Sequence, residues 1–172
     1  WIRILYMYPD EIDDDLLKAM KECDKVLPYF DIPMQHANQR LLKAMNRRGT
    51  KEDVKALVHK IRSMFDHPTL RTTMIVGFPT ETEEEFEEMV DFIKEIEWDR
   101  MGAFTYSPEE DTPGYSMKPV CPEEVKEQYL DELMKLQEEI ALENQQQKIG
   151  RGIEVLVEDQ EGLTGRYRGR SE

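Results

Sequence analysis

Cysteine is nearly missing from this chain. Its 172 residues hold two, Cys23 and Cys121, far apart in sequence. That excludes a disulfide-rich frame, a Cys-x-x-Cys pair and a cysteine-based zinc pattern, and it makes a reducing cytoplasm the default compartment. Histidine is scarce too. His36, His59 and His67 lack metal-ligand spacing, so no metal site built from this chain is expected. No apolar run approaches the roughly 20 residues of a membrane span, so no membrane partner is expected. The opening Trp1-Ile2-Arg3-Ile4-Leu5 is strand-like and not a signal peptide, and its start on Trp1 suggests a piece of a longer protein. Positive charge is the last shortage. Lys and Arg number 23 against 37 Asp and Glu, a net charge of −14. Nucleic-acid binders usually carry a basic field to neutralise phosphates. An acidic chain suits a basic partner, although acidic surface also serves solubility alone.

What is present is alternation. Residues 2–8 are rich in β-branched and aromatic side chains and end at Pro9, which predicts a strand. The acids 13–15 can cap a short helix that carries Leu16, Leu17 and Met20. Residues 29–34 predict a second strand, followed by a polar loop at 35–38 and a helix through Leu41, Leu42 and Met45. Thr50 and Asp53 open another helix, with Val54, Leu57, Val58, Ile61, Met64 and Phe65 at helical spacing. Residues 70–78 predict the third strand. Thr82 and Glu85 form a capping box ahead of the apolar stripe Phe86, Met89, Val90, Ile93 and Ile96. The fourth strand is predicted at 101–106, a long loop at 107–119 and a long helix from Pro122 to about residue 148.

Gly150 and Gly152 mark a boundary. Beyond it residues 153–157 and 162–169 read as the two arms of a hairpin, locally basic through Arg151, Arg166, Arg168 and Arg170. The expected organisation is therefore an α/β domain at 1–150 and the truncated start of a small β domain at 151–172. The β-α-β-α-α-β-α-β-α order implies a parallel sheet with helices outside. It is either an open sheet or part of a barrel.

In such a layout chemistry gathers at the carboxyl ends of the strands. The four predicted exits present Tyr8; Gln35 and His36; Gly77, Phe78 and Pro79; and Tyr106 with Ser107. Residues 75–80 are the first place to expect a small molecule, because Gly77 permits a sharp bend or a close approach that a β-carbon would block. A phosphate cradle is not expected there. Further glycines and a Lys-Ser/Thr pair are lacking, and Glu81, Glu83, Glu84 and Glu85 crowd the helix start. Gln35 offers both donor and acceptor, and His36 is either an acid–base group or a plain loop residue. Arg71 lies in an apolar strand and calls for an anionic partner, either Asp31 or a ligand carboxylate. Phe104 and Tyr106, two apart, face one side of the sheet and either flank an aromatic ligand ring or pack in the core. The run 81–88 reads as a solvated helix face.

Four motifs, in order, carry a resemblance that covers essentially the whole chain. They are Asp31-Ile32-Pro33-Met34-Gln35-His36; Met45-Asn46-Arg47-Arg48-Gly49; Ile75-Val76-Gly77-Phe78-Pro79-Thr80-Glu81-Thr82; and Tyr106-Ser107-Pro108-Glu109-Glu110-Asp111-Thr112-Pro113. The chain resembles the radical S-adenosylmethionine methylthiotransferases. Its Asp-Ile-Pro-x-Gln-His segment is similar to the RimO branch and unlike the tRNA-modifying MiaB branch. Thr80 stands where the family usually has glycine.

The resemblance implies a radical-SAM open β/α barrel of six units, of which this chain would supply the third to sixth, followed by the first hairpin of a TRAM domain. It implies methylthiolation of an aspartate β-carbon in the twelfth small-subunit ribosomal protein. The hydrogen would be abstracted by a 5′-deoxyadenosyl radical, with two [4Fe-4S] clusters in the full-length protein. By the same likeness Gln35, Ile75, Val76, Gly77 and Phe78 would contact S-adenosylmethionine, Phe104 and Tyr106 would lie near its adenine, and His36 would lie near the substrate or the ribose; Arg71, from its charge, is expected to serve the substrate. The cluster cysteines are absent from this chain. Clusters need thiolates, so this piece is expected to bind none and to catalyse nothing. The expected partner is a basic ribosomal protein, with RNA contact only through the TRAM portion. The alternatives are a tRNA methylthiotransferase and a non-enzymatic acidic adaptor for a basic ribosomal protein.

Overall fold

The computed structural model describes residues 1–118, 121–162 and 165–171. Four strands, β1 (Ile2–Ile4), β2 (Val26–Asp31), β3 (Thr69–Val76) and β4 (Arg100–Thr105), form one sheet in the order β1-β2-β3-β4. Every pairing is parallel, as the alternation of strands and helices requires. The connections are α1 (Asp14–Glu22), α2 (Gln39–Ala44), α3 (Lys51–Met64) and α4 (Glu83–Ile96). After β4 comes the long α5 (Glu123–Gln146), with Pro122 as its N-cap.

Two strand boundaries differ from expectation. β1 stops at Ile4 because Tyr6 turns to a left-handed φ of 58° and a 3-10 turn follows at Pro9–Glu11. β2 begins at Val26, three residues early, and takes in Pro28. Proline cannot donate to a ladder. The ladder to β1 is irregular there, and the pairing with β3 starts only at Tyr29. Ile32 to Met34 then leave the strand, and Gln35 rejoins as a single bridge to Met74.

Alternation along β3 sets the two faces of the sheet. Leu70, Thr72, Met74 and Val76 are fully buried, and Arg71, Thr73 and Ile75 are partly exposed. The buried set joins Leu17 of α1, Ile61 of α3, Met89 and Ile93 of α4 and Leu133 of α5 in one core. Each helix stripe faces that core for the reason its spacing predicts. Side-chain oxygens start the helices: Asp13, Asn38, and Thr50 and Thr82 with full capping boxes. No helix among the described residues is long and apolar enough to cross a membrane.

The predicted hairpin exists as β5 (Val155–Glu161) antiparallel to β6 (Arg166–Ser171). Its second arm lies further along than 162–169, and Leu163 and Thr164 of that reading fall outside the described residues, as does Pro119 of the loop 107–119. Every residue of β5 and β6 is exposed. Arg3 Nη2 donates to the Ser171 carbonyl at 2.7 Å and so ties the hairpin to the sheet.

Candidate functional site at the carboxyl edge of the sheet

Because the strands are parallel, their carboxyl ends share one edge. The ladder is continued there by loop residues. Gln35 N–H donates to the Thr73 carbonyl at 2.8 Å, Ile75 N–H to the Gln35 carbonyl at 2.8 Å, and Tyr106 N–H to the Val76 carbonyl at 2.8 Å. So Gln35, the Ile75–Val76 strand end and Tyr106 stand side by side. Gln35 has φ of 75°, which is uncommon outside glycine and, where it occurs, concentrates at functional sites. Its side-chain amide has no hydrogen-bond partner among the described residues and is free for a ligand. On the uncovered face Ile75 pairs with Phe104 and Thr73 with Gly102. Phe104 is 59% exposed. The result is an apolar platform beside the amide of half-buried Gln35.

The turn after β3 is held from two sides. Gly77 has φ of 74°, and a β-carbon there would lie 2.2 Å from Lys126 Cγ and 2.5 Å from Cδ. The close approach anticipated at Gly77 is therefore made by the stem of a buried lysine on α5. From the other side comes Glu81. Its Oε2 accepts from the N–H groups of Gly77 and of Phe78, the latter at 3.1 Å. Its Oε1 faces His36 Nε2 at 3.1 Å. His36 Nδ1 accepts from Asn38 N–H at 2.9 Å, so Nε2 is the ring nitrogen that carries the proton.

This corrects two readings of the sequence. The run 81–88 is a solvated face only in part: Glu83, Glu84 and Glu87 are exposed, and the other three acids are engaged. Glu81 is 2% exposed. Glu85 takes a bidentate pair from Arg40, at 2.6 and 2.5 Å, and Arg40 also reaches the Thr80 carbonyl at 2.6 Å. Glu88 accepts from Lys51 at 2.5 Å and Asn38 Nδ2 at 2.6 Å. Burial alone would raise both carboxyls. For Glu85 the Arg40 guanidinium and the Thr82 N–H outweigh it and hold the group below its ordinary value. For Glu88 Lys51 and Asn38 do the same. Second, His36 does not present its ring to a substrate. It is fully buried with both nitrogens engaged, because the loop after β2 folds under the Gly77 turn.

Arg71 finds the partner proposed for it. Its Nη1 lies 2.5 Å from Asp31 Oδ1, and Asp31 Oδ2 accepts from Tyr6 N–H at 3.1 Å. The segment that follows β1 and the strands β2 and β3 are thus pinned together. Of the other expected residues, Val76 and Phe78 are buried, and the Phe78 ring packs edge-on against Tyr106 at 5.1 Å. Tyr106 engages Phe78 and lies close to Gly114, leaving Phe104 without a ring partner among the described residues. Of this set Phe104 is exposed, and Gln35, Ile75 and Tyr106 are half-buried. Sequence reasoning missed Glu81, Asn38, Arg40 and Lys126. The available signal for Glu81 was its position just ahead of the Thr82 N-cap, where helical periodicity does not apply and a carboxylate can reach back to turn amides.

The donor set does not fit an iron–sulfur cluster. Among the described residues no three His, Cys, Asp or Glu side chains gather as a metal site. Cys23 is exposed and Cys121 buried, and burial, with Glu81 nearby, pushes the Cys121 thiol up. The strand ends combine an apolar platform with an amide unpartnered among the described residues, groups of the kind that hold an adenosyl ligand.

A parallel sheet with its helices on one face and a Gly-Phe-Pro turn at the carboxyl edge defines an α/β protein, the class of fold in which strand tips are the common ligand position. The family profile described as the Radical SAM superfamily matches residues 2–93, and the chain belongs to that superfamily. Among curated proteins it is 49% identical, over all of its length, to the ribosomal protein uS12 methylthiotransferase RimO of Desulfitobacterium hafniense (strain Y51), covering 38% of that protein. It is 50% identical to the protein of the same name from Pelotomaculum thermopropionicum, again over its full length and over 39% of that relative. The protein of that name from Clostridioides difficile (strain 630) is 47% identical, with coverage of 100% and 39%. The chain thus spans about two-fifths of the length of these relatives.

Proposed function

We propose that this chain is the sheet-and-helix portion of a radical-SAM methylthiotransferase that modifies an aspartate β-carbon of ribosomal protein uS12. Residues 1–150 are the third to sixth units of the open barrel, whose interior is the uncovered face, and residues 151–172 begin the TRAM domain. Ile75, Gly77 and Phe104 form the adenosyl seat. Gln35 supplies a donor and an acceptor, and Val76, Phe78 and Tyr106 support the seat through the ladder and their packing. S-adenosylmethionine, when bound, supplies the hydrogen-abstracting adenosyl chemistry. Arg71, fixed by Asp31, faces the same interior and offers its remaining donors to a substrate carboxylate. His36 serves through Glu81 and not by contact. The ligands of the two clusters lie outside this chain, so the chain alone binds no cluster and is inactive. The protein works in the cytoplasm.

The match over the full chain length, at 47–50% identity, to three proteins of one printed name supports this reading most. The net charge of −14 favours a basic protein substrate over a polyanionic RNA, with RNA contact left to the TRAM portion. The test is to offer the full-length, cluster-loaded enzyme uS12 and a tRNA anticodon stem-loop in separate reactions. Mass spectrometry should find the methylthio group on an aspartate of uS12. Modification of the RNA alone would refute the assignment, and stoichiometric iron on residues 1–172 by themselves would refute the inactivity of the piece.

A further inference from the structure

Asp31 and Glu81 are the buried acids among the described residues. Asp31 is accounted for by Arg71. Among the described residues no Lys or Arg pairs with Glu81; its carboxylate is satisfied by two backbone N–H groups and a histidine. Two successive amides converging on one oxygen are the arrangement with which turns and helix starts bind phosphate. Here the chain fills that seat with a carboxylate of its own. The Glu81 N–H also donates to the Phe78 carbonyl at 2.8 Å, and α4 begins two residues later, where the positive end of its dipole favours the negative charge.

We propose that Glu81 is a built-in anion that fixes the ligand-facing strand end and bars phosphate from it: a positioning and specificity-determining residue, with His36 as its holder. The inference rests on the adenosyl reading of the seat. The amides of Gly77 and Phe78 are occupied and Pro79 has no N–H, so the converging pair is closed to a ligand oxygen. An incoming anion would also meet the Glu81 charge in a water-poor site, where like charges repel strongly. The ligand must therefore be neutral or cationic at this end and must bind through the Ile75–Phe104 platform and Gln35. An adenosyl sulfonium meets those terms and a phosphorylated adenosine does not. His36 acts on Glu81 alone. Its Nδ1 is spent on Asn38 N–H, so its one N–H points at Oε1 and holds the carboxylate toward the turn.

The test uses the full-length, cluster-loaded protein and reads equilibrium binding. In the wild type, adenosine should displace S-adenosylmethionine and adenosine monophosphate should do so poorly. Glu81→Ala should weaken S-adenosylmethionine by about tenfold or more, the scale of leaving buried donors unpaired. It should also raise the competition by adenosine monophosphate relative to adenosine, because two amides and the His36 N–H now form an open anion seat. Formate, which fits the vacated carboxylate position, should restore most of the lost affinity in Glu81→Ala and change nothing in the wild type. A merely structural glutamate would lower the melting temperature without conferring formate rescue. Unchanged affinity and an unchanged nucleotide ratio in Glu81→Ala overturn the proposal, as does a loss that formate does not recover. If Glu81→Ala does not fold, Glu81→Gln replaces it. Its single acceptor oxygen cannot serve all three donors, so the affinity and the nucleotide ratio must still move, and constancy of both overturns the proposal. Failure of the wild type to bind S-adenosylmethionine, or full binding by Ile75→Arg, would instead sink the adenosyl reading and is read separately.

Discussion

The two faces of β3 are built from alternate residues of one eight-residue strand, and they do different work. Leu70, Thr72, Met74 and Val76 point into the helix-covered core; Arg71, Thr73 and Ile75 point to the uncovered side. A pleated strand delivers successive side chains to opposite faces, so stability and recognition are separated by a single position. The sharpest way to break the comparison is to cut one residue from each face. Leu70→Ala removes a fully buried side chain and should cost ~2–5 kcal/mol, the range for such truncations. Thr73→Ala, half-exposed, should stay within about 0.5 kcal/mol. Urea unfolding checks both, and similar losses would erase the distinction.

The faces meet at Gly77, where the strand turns toward α4. Gly77→Ala asks for a left-handed φ and drives its β-carbon into the Lys126 stem. Strain of this kind costs ~1–3 kcal/mol, with the clash in addition. Lys126→Ala in the same background removes Cγ and Cδ and should recover most of the steric part, leaving the φ cost. The two substitutions are then non-additive, as residues in contact are expected to be. If the pair simply adds, α5 does not brace the turn.

The fold was legible because its signals are periodic. The capping boxes at Thr50 and Thr82, the apolar stripe of α4 and the alternation of β3 each report the average environment of many residues, and the structure contains each of them. Even the Asp31–Arg71 pair could be read, because a charge inside an apolar strand needs a partner on a neighbouring one. Glu81 and His36 were misread for the opposite reason. Their contacts lie outside any period, and an acid within a run of acids looks solvated until its one buried member is seen. The boundary of β2 failed at Pro28, which breaks a strand in isolation but sits here where the ladder is already irregular. In the hairpin the second arm was shifted because no buried face fixes a register: every residue of β5 and β6 is exposed.

The smallest effect sharpens the comparison on α4, whose acids divide between surface and network much as β3 divides between faces. Glu83 is exposed, and Glu85 is held by Arg40 and caps the helix. Glu85→Gln keeps the cap, since glutamine also serves in a capping box, and removes the charge. The folded protein depresses the Glu85 carboxyl despite its burial. A depressed acid contributes stability that is complete above its unfolded value and is lost as pH falls through its folded value. Arg40 is 52% exposed at its side chain, so solvent screening holds the loss at pH 7 to about 0.5–1 kcal/mol. The deficit should shrink as pH falls and vanish once Glu85 is protonated in the wild type, giving the variant a shallower acid limb in a pH series of melting curves. Glu83→Gln, with no such partner, should follow the wild type throughout. A deficit in Glu85→Gln that persists at acid pH would mean that shape, and not charge, ties α2 to α4.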